Sequence, residues 1–377
     1  MDTNTLILGA GFGGLELASR LSDALGPDAG VTLIDQNEGF VFGFSKFELM
    51  FGRATLDEVM HRYAELVKPG VAFRRERILS IDPAARRVVT DRETYEAQTL
   101  VVALGAEYDP GATPGFVEGG HEFYSVPGAI ALHDVLLGFE GGAVVIGVLG
   151  QPFKCPPAPC EAAMLLEEWL TKRGQRERSS VTLVHPWGTP VPPSPDGSVA
   201  IRQRFEERGI TFLGDRTITH IDPAAKTVHI ADGSTVPYDL FLGIPIHRVP
   251  AVVVESGLAE DGWIPVDKTN LATRFPGVYA LGDVTSAPVP KAGVFAESAA
   301  RALASYLIDQ AKQTADFRPF DGSGSCYVEF GGGLVGRVDA DFLTGPQPRG
   351  PFVAPSEELA REKAGFATTR DRRWFRA

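Results

Sequence analysis

The sequence predicts an α/β protein of two Rossmann-like dinucleotide-binding domains followed by a small C-terminal cap of β-hairpin and helix. Short β-rich apolar runs alternate with amphipathic helix-like runs along most of the 377 residues, which is typical of parallel sheets covered by helices. A glycine-rich turn follows the first strand-like run. An Asp-Pro turn between two short strands occurs once in each half, at residues 78–90 and 218–230, and indicates either two related domains or the reuse of a favourable turn.

Apolar periodicity places the individual elements. The strand-like runs are residues 5–8, 31–34, 100–103, 143–146, 181–184, 240–242 and 278–280. The helix-like runs are residues 15–24, 162–172, 198–208 and 296–311. From their order we predict a first nucleotide-binding domain at 1–107 that resumes at 268–315. A second Rossmann-like domain is inserted at 108–267, and the cap occupies 316–377, with a helix-like stretch at 357–363.

Composition and charge exclude several classes of protein. The formal net charge of -12 argues against nucleic acid as a partner, because phosphate binding needs clustered Lys and Arg. Three cysteines are too few for a disulfide framework, and the N-terminus lacks the basic region and cleavage site of a signal peptide. No apolar run approaches the roughly 20 residues that span a bilayer. We therefore predict a cytoplasmic protein, and no metal site is predicted.

The first glycine-rich turn has the context of a dinucleotide site. Gly9, Gly11 and Gly14 match G-x-G-x-x-G between a strand-like and a helix-like run. Gly9 permits the tight turn, Gly11 lets the backbone approach a pyrophosphate, and Gly14 lets helix and strand pack closely. The helix N-terminus offers N–H groups to the phosphates, and Asp35 ends the next strand-like run, where a ribose would lie. The residues predicted to bind the dinucleotide here are Gly9, Ala10, Gly11, Phe12, Gly14 and Asp35.

A later segment distinguishes FAD from NAD. A strand-like run ends in Gly282 and Asp283, and a helix-like run opens near Gly293. This segment resembles the late FAD motif of two-domain, glutathione-reductase-like flavoproteins, in which the aspartate binds the ribityl chain and the helix N-terminus faces the flavin. Residues 100–105 resemble the middle motif of the same proteins, with Leu104 in place of the usual threonine. The resemblance implies FAD as cofactor and adds Ala103, Gly105, Gly282, Asp283, Lys291, Ala292, Gly293 and Val294 to its predicted site.

The second half lacks a good nicotinamide site. After the strand-like run 143–146, Gly147 and Gly150 remain of the glycine pattern, but a loop rich in proline and cysteine replaces its third position. Proline supplies no N–H donor for a pyrophosphate. The next strand-like run ends at His185 instead of an acid. We therefore expect NAD(P)H not to be the electron donor.

The loop after Gly150 is the most informative stretch. It contains Lys154, Cys155, Cys160 and Glu161, with prolines between the two cysteines, and Cys326 lies in the predicted cap. With the Phe-rich segment 40–42 and the late Gly-Asp segment, it resembles the sulfide:quinone oxidoreductase and flavocytochrome c sulfide dehydrogenase family. The resemblance implies that Cys155 and Cys326 are a redox pair beside the flavin.

Sulfur chemistry at a cysteine pair also needs residues that stabilise a thiolate and residues that transfer protons. Sulfide oxidation needs an electrophilic sulfur and a thiolate that passes two electrons to flavin. We expect Lys154 and the N-terminus of a helix beginning near Cys160 to favour the thiolate, and Glu161 to move protons. Cys160 is either a third reactive sulfur or a packing residue. All three cysteines could also be inert core thiols.

The family resemblance implies sulfide or a small thiol or persulfide as electron donor and a quinone or other acceptor. The basic, aromatic end of the chain, residues 370–377, predicts either peripheral contact with the inner face of a membrane or a helix packed on the body. A homodimer is possible by the same resemblance. Two other hypotheses stay open: an NAD(P)H-dependent flavin reductase, such as a ferredoxin reductase or type II NADH dehydrogenase, and a flavin-binding redox sensor without turnover.

Overall fold

The computed structural model describes residues 2–376. The helices are α1 (Phe12–Leu25), α2 (Ser45–Met50), α3 (Leu56–Val59), α4 (Phe116–Gly119), α5 (Val126–Gly138), α6 (Ala158–Lys172), α7 (Pro195–Arg208), α8 (Ala251–Glu255), α9 (Gly293–Lys312) and α10 (Glu357–Phe375). The strands are β1 (Asp2–Leu8), β2 (Val31–Asp35), β3 (Gly39–Val41), β4 (Met60–Arg62), β5 (Val71–Arg75), β6 (Ile78–Asp82), β7 (Arg87–Thr90), β8 (Thr94–Val102), β9 (Glu107–Asp109), β10 (Gly142–Val148), β11 (Ser179–Val184), β12 (Ile210–Leu213), β13 (Ile218–Asp222), β14 (Thr227–Ile230), β15 (Thr235–Pro237), β16 (Leu240–Ile244), β17 (Ile246–Arg248), β18 (Val278–Ala280), β19 (Ser323–Gly331), β20 (Leu334–Asp341) and β21 (Phe352–Ser356).

The first sheet has the strand order β5-β2-β1-β8-β7-β6, with β18 paired to β8. The strands β5, β2, β1, β8 and β18 pair in parallel, whereas β6 and β7 form an antiparallel hairpin. Leu6, Ile7 and Leu8 of β1 are fully buried, as expected of a parallel strand covered on both faces. Helices α1 and α9 pack together over this sheet.

The second half repeats this plan with the parallel sheet β12-β11-β10-β16 and the antiparallel sheet β13-β14-β15. The two Asp-Pro hairpins are alike in detail. Asp82 accepts the N–H of Ala85 at 3.0 Å, and Asp222 accepts the N–H of Ala225 at 2.9 Å. Both hairpins also have a register shift at the start of their first strand. These matched irregularities favour two related halves over the chance reuse of a turn. The exact domain boundaries stay a prediction.

The cap is larger than the sequence indicated. A third strand joins the predicted hairpin to form the sheet β19-β20-β21. The helix expected at 357–363 continues to Phe375, because Ser356 caps its first turn by accepting the N–H of Leu359 and buried residues hold its far end. The cap places Cys326 on β19, opposite Val338 on β20.

The end of α10 packs on the first half of the protein. Trp374 and Phe375 are 0% and 1% exposed, and the indole N–H of Trp374 donates to Glu16 on α1 at 2.7 Å. Arg370 and Arg373 bind Glu297 on α9 at 2.8 and 2.6 Å. The aromatic side chains on which the membrane-contact hypothesis depended therefore face the protein interior, which favours the packed-helix alternative. Between residues 2 and 376, no helix combines the length and the apolar character needed to cross a membrane.

Candidate active site

A cavity of about 1070 Å³ runs along the carboxyl ends of β1, β2 and β8 and continues to the cap. Ligands of open α/β sheets bind at this edge, and the volume is at the upper end of the roughly 300–1,000 Å³ typical of ligand pockets. The predicted site residues that line it are Gly9, Gly11, Phe12, Asp35, Ala103, Gly105, Gly282, Asp283, Ala292, Gly293, Val294, Cys155, Glu161 and Cys326. Residues from the two ends of the chain therefore meet at one cavity.

The glycine turn at one end of the cavity fits a dinucleotide. A Cβ on Gly9 would lie 2.5 Å from the carbonyl oxygen of Ala103, and one on Gly14 would lie 1.9 Å from that of Gly9. Gly11, by contrast, faces open space with nothing within 4 Å, and α1 begins at the next residue, Phe12. The backbone at Gly11 and the N-terminus of α1 can therefore approach a pyrophosphate, as FAD binding requires.

Asp35 ends β2 beside this turn. Its carboxylate accepts the backbone N–H of Ala10 at 2.8 Å and that of Asn37 at 2.8 Å. These hydrogen bonds fix the carboxylate at the cavity wall, which Asp35 lines. In that position it can accept hydrogen bonds from ribose hydroxyls.

Three residues of the predicted FAD site lie behind the cavity wall. Ala10 is fully buried, and Gly14 serves the close packing of α1 on β1. Lys291 was expected at the flavin, but its ammonium donates to the carbonyl oxygens of Asp283 at 2.8 Å and Thr285 at 3.0 Å. It also lies 3.4 Å from the centre of the Trp263 ring. Lys291 therefore holds the Asp283 turn in place, and burial lowers its pKa to about 8.

Cys155 and Cys326 come together at the other end of the cavity. Both are half-buried free thiols, and both pack against one small apolar cluster that includes Ala292 and Phe295 of the α9 region. The N–H of Cys155 donates to the carbonyl of Lys291 at 2.8 Å. Cys155 also has a left-handed backbone, with φ of 49°, a conformation that non-glycine residues adopt where the surroundings enforce it.

The electrostatics of the two thiols differ from the expectation. Burial raises the pKa of Cys155 to about 11, because it outweighs the lowering by Lys46 and Lys154, and the negative charges of Asp283 and Glu161 raise it further. Burial also raises the pKa of Cys326 well above its usual range. The ammonium of Lys154 donates to the carbonyl of Ala106 at 2.5 Å instead of pairing with the thiol. Lys154 therefore favours the Cys155 thiolate, as expected, but burial outweighs its effect on the pKa.

Cys160 lies apart from the other two cysteines. It belongs to the first turn of α6, which begins at Ala158, and it is 0% exposed in the core of the second half. Burial raises the pKa of its thiol well above the usual range. It is absent from the lining of the cavity. The structure therefore favours a packing residue over a third reactive sulfur.

Glu161 lies on the same turn of α6 but faces the cavity. It is 6% exposed, and its carboxylate accepts the N–H of Glu329 at 2.9 Å. Burial raises its pKa to about 7. A carboxyl with this pKa can both take and release a proton near neutral pH, as a general acid or base must.

Aromatic side chains pack together around the glycine loop of the second half. Phe153, from the loop after β10, packs against Trp187 with ring centres 5.1 Å apart and against His185 at 5.9 Å. His185 is fully buried after β11, and burial lowers its pKa to about 4. The glycines of this loop also touch protein, since a Cβ on Gly150 would lie 2.7 Å from Ile246. These contacts leave little exposed backbone for a pyrophosphate.

The sequence interpretation missed several residues of the site. Lys46 lines the cavity, donates to the carbonyl of Tyr124 and lowers the pKa of Cys155. Lys363 reaches the cavity from α10 and pairs with Glu329. Lys46, Glu329 and Lys363 belong to no motif, and their distance along the chain from Cys155 left no local signal. Lys363 is a partial exception, since a lysine on a predicted helix of the cap could have been considered.

Comparisons with known proteins agree with this architecture. The sequence matches the profile of the pyridine nucleotide-disulphide oxidoreductase family over residues 3–305. It is 25% identical over 374 residues to the mitochondrial sulfide:quinone oxidoreductase of Mus musculus, covering 94% of this chain and 81% of the mouse protein. It is 26% identical over 397 residues to the sulfide-quinone reductase of Aquifex aeolicus (strain VF5), covering 97% of this chain and 88% of that protein.

A solved structure shows the same fold. The X-ray structure of the sulfide:quinone oxidoreductase from the hyperthermophilic bacterium Aquifex aeolicus superposes with a TM-score of 0.87 at 24% sequence identity, covering 97% of this chain and 90% of that chain. The predicted two-domain fold and the FAD cofactor are confirmed. The chain therefore belongs to the pyridine nucleotide-disulphide oxidoreductase family and is an FAD-dependent oxidoreductase that resembles the sulfide:quinone oxidoreductases.

Proposed function

We propose that this flavoenzyme oxidises sulfide, or a small thiol or persulfide, at Cys155 and Cys326 and passes the electrons through FAD to a quinone. The observation that carries the proposal is that both cysteines, one from the second half and one from the cap, line the same cavity as the FAD-binding turn. The names of the mouse and Aquifex relatives support the same substrate and acceptor.

The chemistry balances with the groups present. When H₂S reacts with a cysteine thiol, one S–S bond forms and two S–H bonds break, so that a persulfide, two protons and two electrons result. FAD bound in the cavity supplies the two-electron acceptor. The cysteine pair retains the oxidised sulfur, and thiol–disulfide exchange between Cys155 and Cys326 can hand it on.

Proton transfer falls to Glu161. Because burial raises the pKa of both thiols, a neighbouring base has to take the proton before either sulfur reacts. Glu161 faces the same cavity, and its pKa of about 7 means that it is largely ionised just above neutral pH. Sulfide oxidation should therefore speed up as pH rises through about 7.

An apolar wall of the cavity supports the choice of a quinone. Phe44, Phe47 and Phe366 line the cavity, and the Phe44 and Phe366 rings make an edge contact with centres 5.9 Å apart. Phe42, in contrast, is 1% exposed and packs against Trp374. Phe42 therefore belongs to the core, whereas Phe44, Phe47 and Phe366 can contact an aromatic acceptor. Assembly into a homodimer stays a prediction.

A steady-state assay with the purified holoenzyme tests the proposal. Sulfide is the donor, a short-chain ubiquinone is the acceptor, and quinone reduction is followed by absorbance. We expect turnover with sulfide and little with NADH, because Phe153 and Trp187 pack around the glycine loop of the second half. Turnover with NADH and none with sulfide would instead support the flavin-reductase alternative. Bound FAD that neither donor reduces would support a sensor.

A further inference from the structure

Four charged side chains lead outward from Glu161 and form one connected group, the outer cluster: Glu48, Arg53, Glu329 and Lys363. Glu48 and Arg53 come from α2 and the turn after it, Glu329 from β19 and Lys363 from α10. Lys363 pairs with one oxygen of Glu329, and Arg53 lies 3.5 Å from the other. Arg53 also binds Glu48 at 2.9 Å. The outer cluster therefore joins three separate parts of the chain beside the sulfur site.

Exposure increases outward through this group. Glu161 is 6% exposed, the side chain of Glu329 is 14% exposed, and that of Arg53 is 37% exposed. Glu161 contacts the outer cluster directly, because its carboxylate accepts the backbone N–H of Glu329. From the cavity outward, Glu161, Glu329 and the Glu48–Arg53 pair thus follow one another, and the first step is a contact with the Glu329 backbone.

The proposed reaction needs such a route. Oxidation of H₂S to persulfide sulfur releases two protons and two electrons, and the flavin accepts both electrons with one of the protons. The remaining proton has to leave the buried cavity in every turnover. Other polar groups beside Cys155 point inward: Lys154 donates to the carbonyl of Ala106, and the hydroxyl of Tyr124 donates to the carbonyl of Lys154.

We propose that the outer cluster is the proton exit of the sulfur site. A proton taken up by Glu161 passes to Glu329 and leaves between Glu48 and Arg53, while Lys363 positions the Glu329 carboxylate. This inference rests on the sulfide oxidation proposed above and extends it to residues outside the cysteine loop. Glu329 carries the proton beyond Glu161, and Lys363 is a positioning residue that acts through Glu329.

The charges around Glu161 agree with this arrangement. Burial raises its pKa, Lys363 and Arg53 lower it, and the Glu329 carboxylate raises it while the Glu329 N–H lowers it. The cavity presents the thiols of Cys155 and Cys326, whose pKa values the Glu161 charge raises. The Glu161 charge also raises the pKa of the Cys160 thiol and that of the Tyr124 hydroxyl. Loss of the Lys363 cation should therefore move the titration of Glu161 to higher pH.

The test is anaerobic stopped-flow mixing of the FAD-loaded protein with sulfide in weakly buffered, mildly acidic solution with a pH-indicator dye. Flavin bleaching and proton release are recorded together. In the wild type both should occur at the same rate. In Glu329→Gln we expect proton release to lag behind bleaching, with partial rescue by added imidazole. Bleaching should slow by about a hundredfold, the lower end of the contribution typical of one proton-transfer group. Glu362→Gln is the matched control, since Glu362 precedes Lys363 on α10 but is 44% exposed and binds Tyr327 of β19 and Arg337 of β20.

Lys363→Met provides a second, independent measurement. It should shift the pH profile of bleaching upward by about one unit, because a neighbouring cation that favours the ionised carboxylate is lost. The proposed exit would be overturned if Glu329→Gln had an unaltered pH profile and released protons in step with bleaching. It would also be overturned if Lys363→Met had the wild-type pH profile. A wild-type flavin that sulfide does not bleach would instead refute the proposed function itself, and the proton exit with it.

Discussion

The two halves of the molecule place a glycine loop at the same point, between the first parallel strand and the next helix, but use it differently. In the first half, α1 starts directly after Gly11, which faces open space. In the second half, α6 starts eight residues after Gly150, at Ala158, and the intervening loop carries Cys155. The first loop exposes backbone to a phosphate, and the second exposes a thiol.

The ends of the next strands show the same contrast. Asp35 ends β2 and is held at the cavity wall by two backbone N–H groups. His185 follows β11 and is buried among Phe153 and Trp187. The same position in the two halves thus carries an acid that lines the cavity in one and a buried, aromatic-packed histidine in the other.

Substitution of the two cysteines of the second loop should change the rate of flavin reduction by very different amounts. Cys155→Ser should slow flavin reduction by sulfide by at least about a thousandfold, since removal of a covalent nucleophile commonly costs that much or more. Cys160→Ala should change the rate little, because Cys160 is a core residue away from the cavity. Single-turnover flavin absorbance measures both. Equal rates in wild type and Cys155→Ser would refute the assignment.

Alanine substitutions in the two glycine loops should differ in their effect on FAD binding. Gly9→Ala should weaken FAD binding by roughly a hundredfold, because the new Cβ meets the Ala103 backbone at a positive φ of 100°. Gly150→Ala meets the Ile246 side chain, away from the FAD-binding turn, and should retain FAD. The ratio of flavin to protein absorbance after purification reports the result, and circular dichroism checks folding. Full FAD content in Gly9→Ala would contradict this view of the first loop.

A smaller effect is expected at the end of β2. Asp35→Asn should weaken FAD binding by about tenfold to a hundredfold, since a charge-assisted hydrogen bond contributes roughly 1.5–3 kcal/mol. Titration of the apoprotein with FAD, followed by flavin fluorescence, measures the change. Asp232→Asn, at an exposed position of the second half, serves as control. An unchanged dissociation constant for Asp35→Asn would show that Asp35 does not bind the ribose.

The smallest effect concerns stability and pH. The folded pKa of Glu161, about 7, lies above the unfolded value, so its contribution to stability is fully present below about pH 4.5 and is lost as pH rises to about 7. Glu161→Gln should therefore be more stable than wild type at pH 8, by on the order of 1 kcal/mol, but similar at pH 5. Urea unfolding at both pH values measures this. A destabilised variant at pH 8 would mean that burial of the charge is compensated.

The sequence predicted the parts of the site that depend on local spacing. Gly9, Gly11 and Asp35 could be found because turn, helix start and strand end follow one another within one βαβ unit. Cys326 could be assigned only through the family resemblance, since nothing near it signals a partner. The sequence did not predict that Lys291 lies behind the cavity wall, because its position depends on Trp263 and on two carbonyl groups that folding brings together.

The chain end shows a similar limit. A basic, aromatic segment fits a bilayer surface or a protein surface equally well, and the choice depends on what lies opposite. Here Glu16 and Glu297, on α1 and α9, are buried and bind Trp374, Arg370 and Arg373. The available signal was a glutamate on an otherwise apolar helix face. The partners of Glu16 lie most of the chain away, however, and those of Glu297 lie at the far end of the cap.

We infer that the second loop delivers a reactive sulfur to the flavin that the first loop binds. An anaerobic visible spectrum of the purified protein, taken before and after adding sulfide and then repeated with NADH, tests it most directly. We predict that sulfide promptly removes the oxidised flavin band, or gives a long-wavelength charge-transfer band, whereas NADH has little effect. A flavin that stays oxidised with sulfide and bleaches with NADH would contradict the claim.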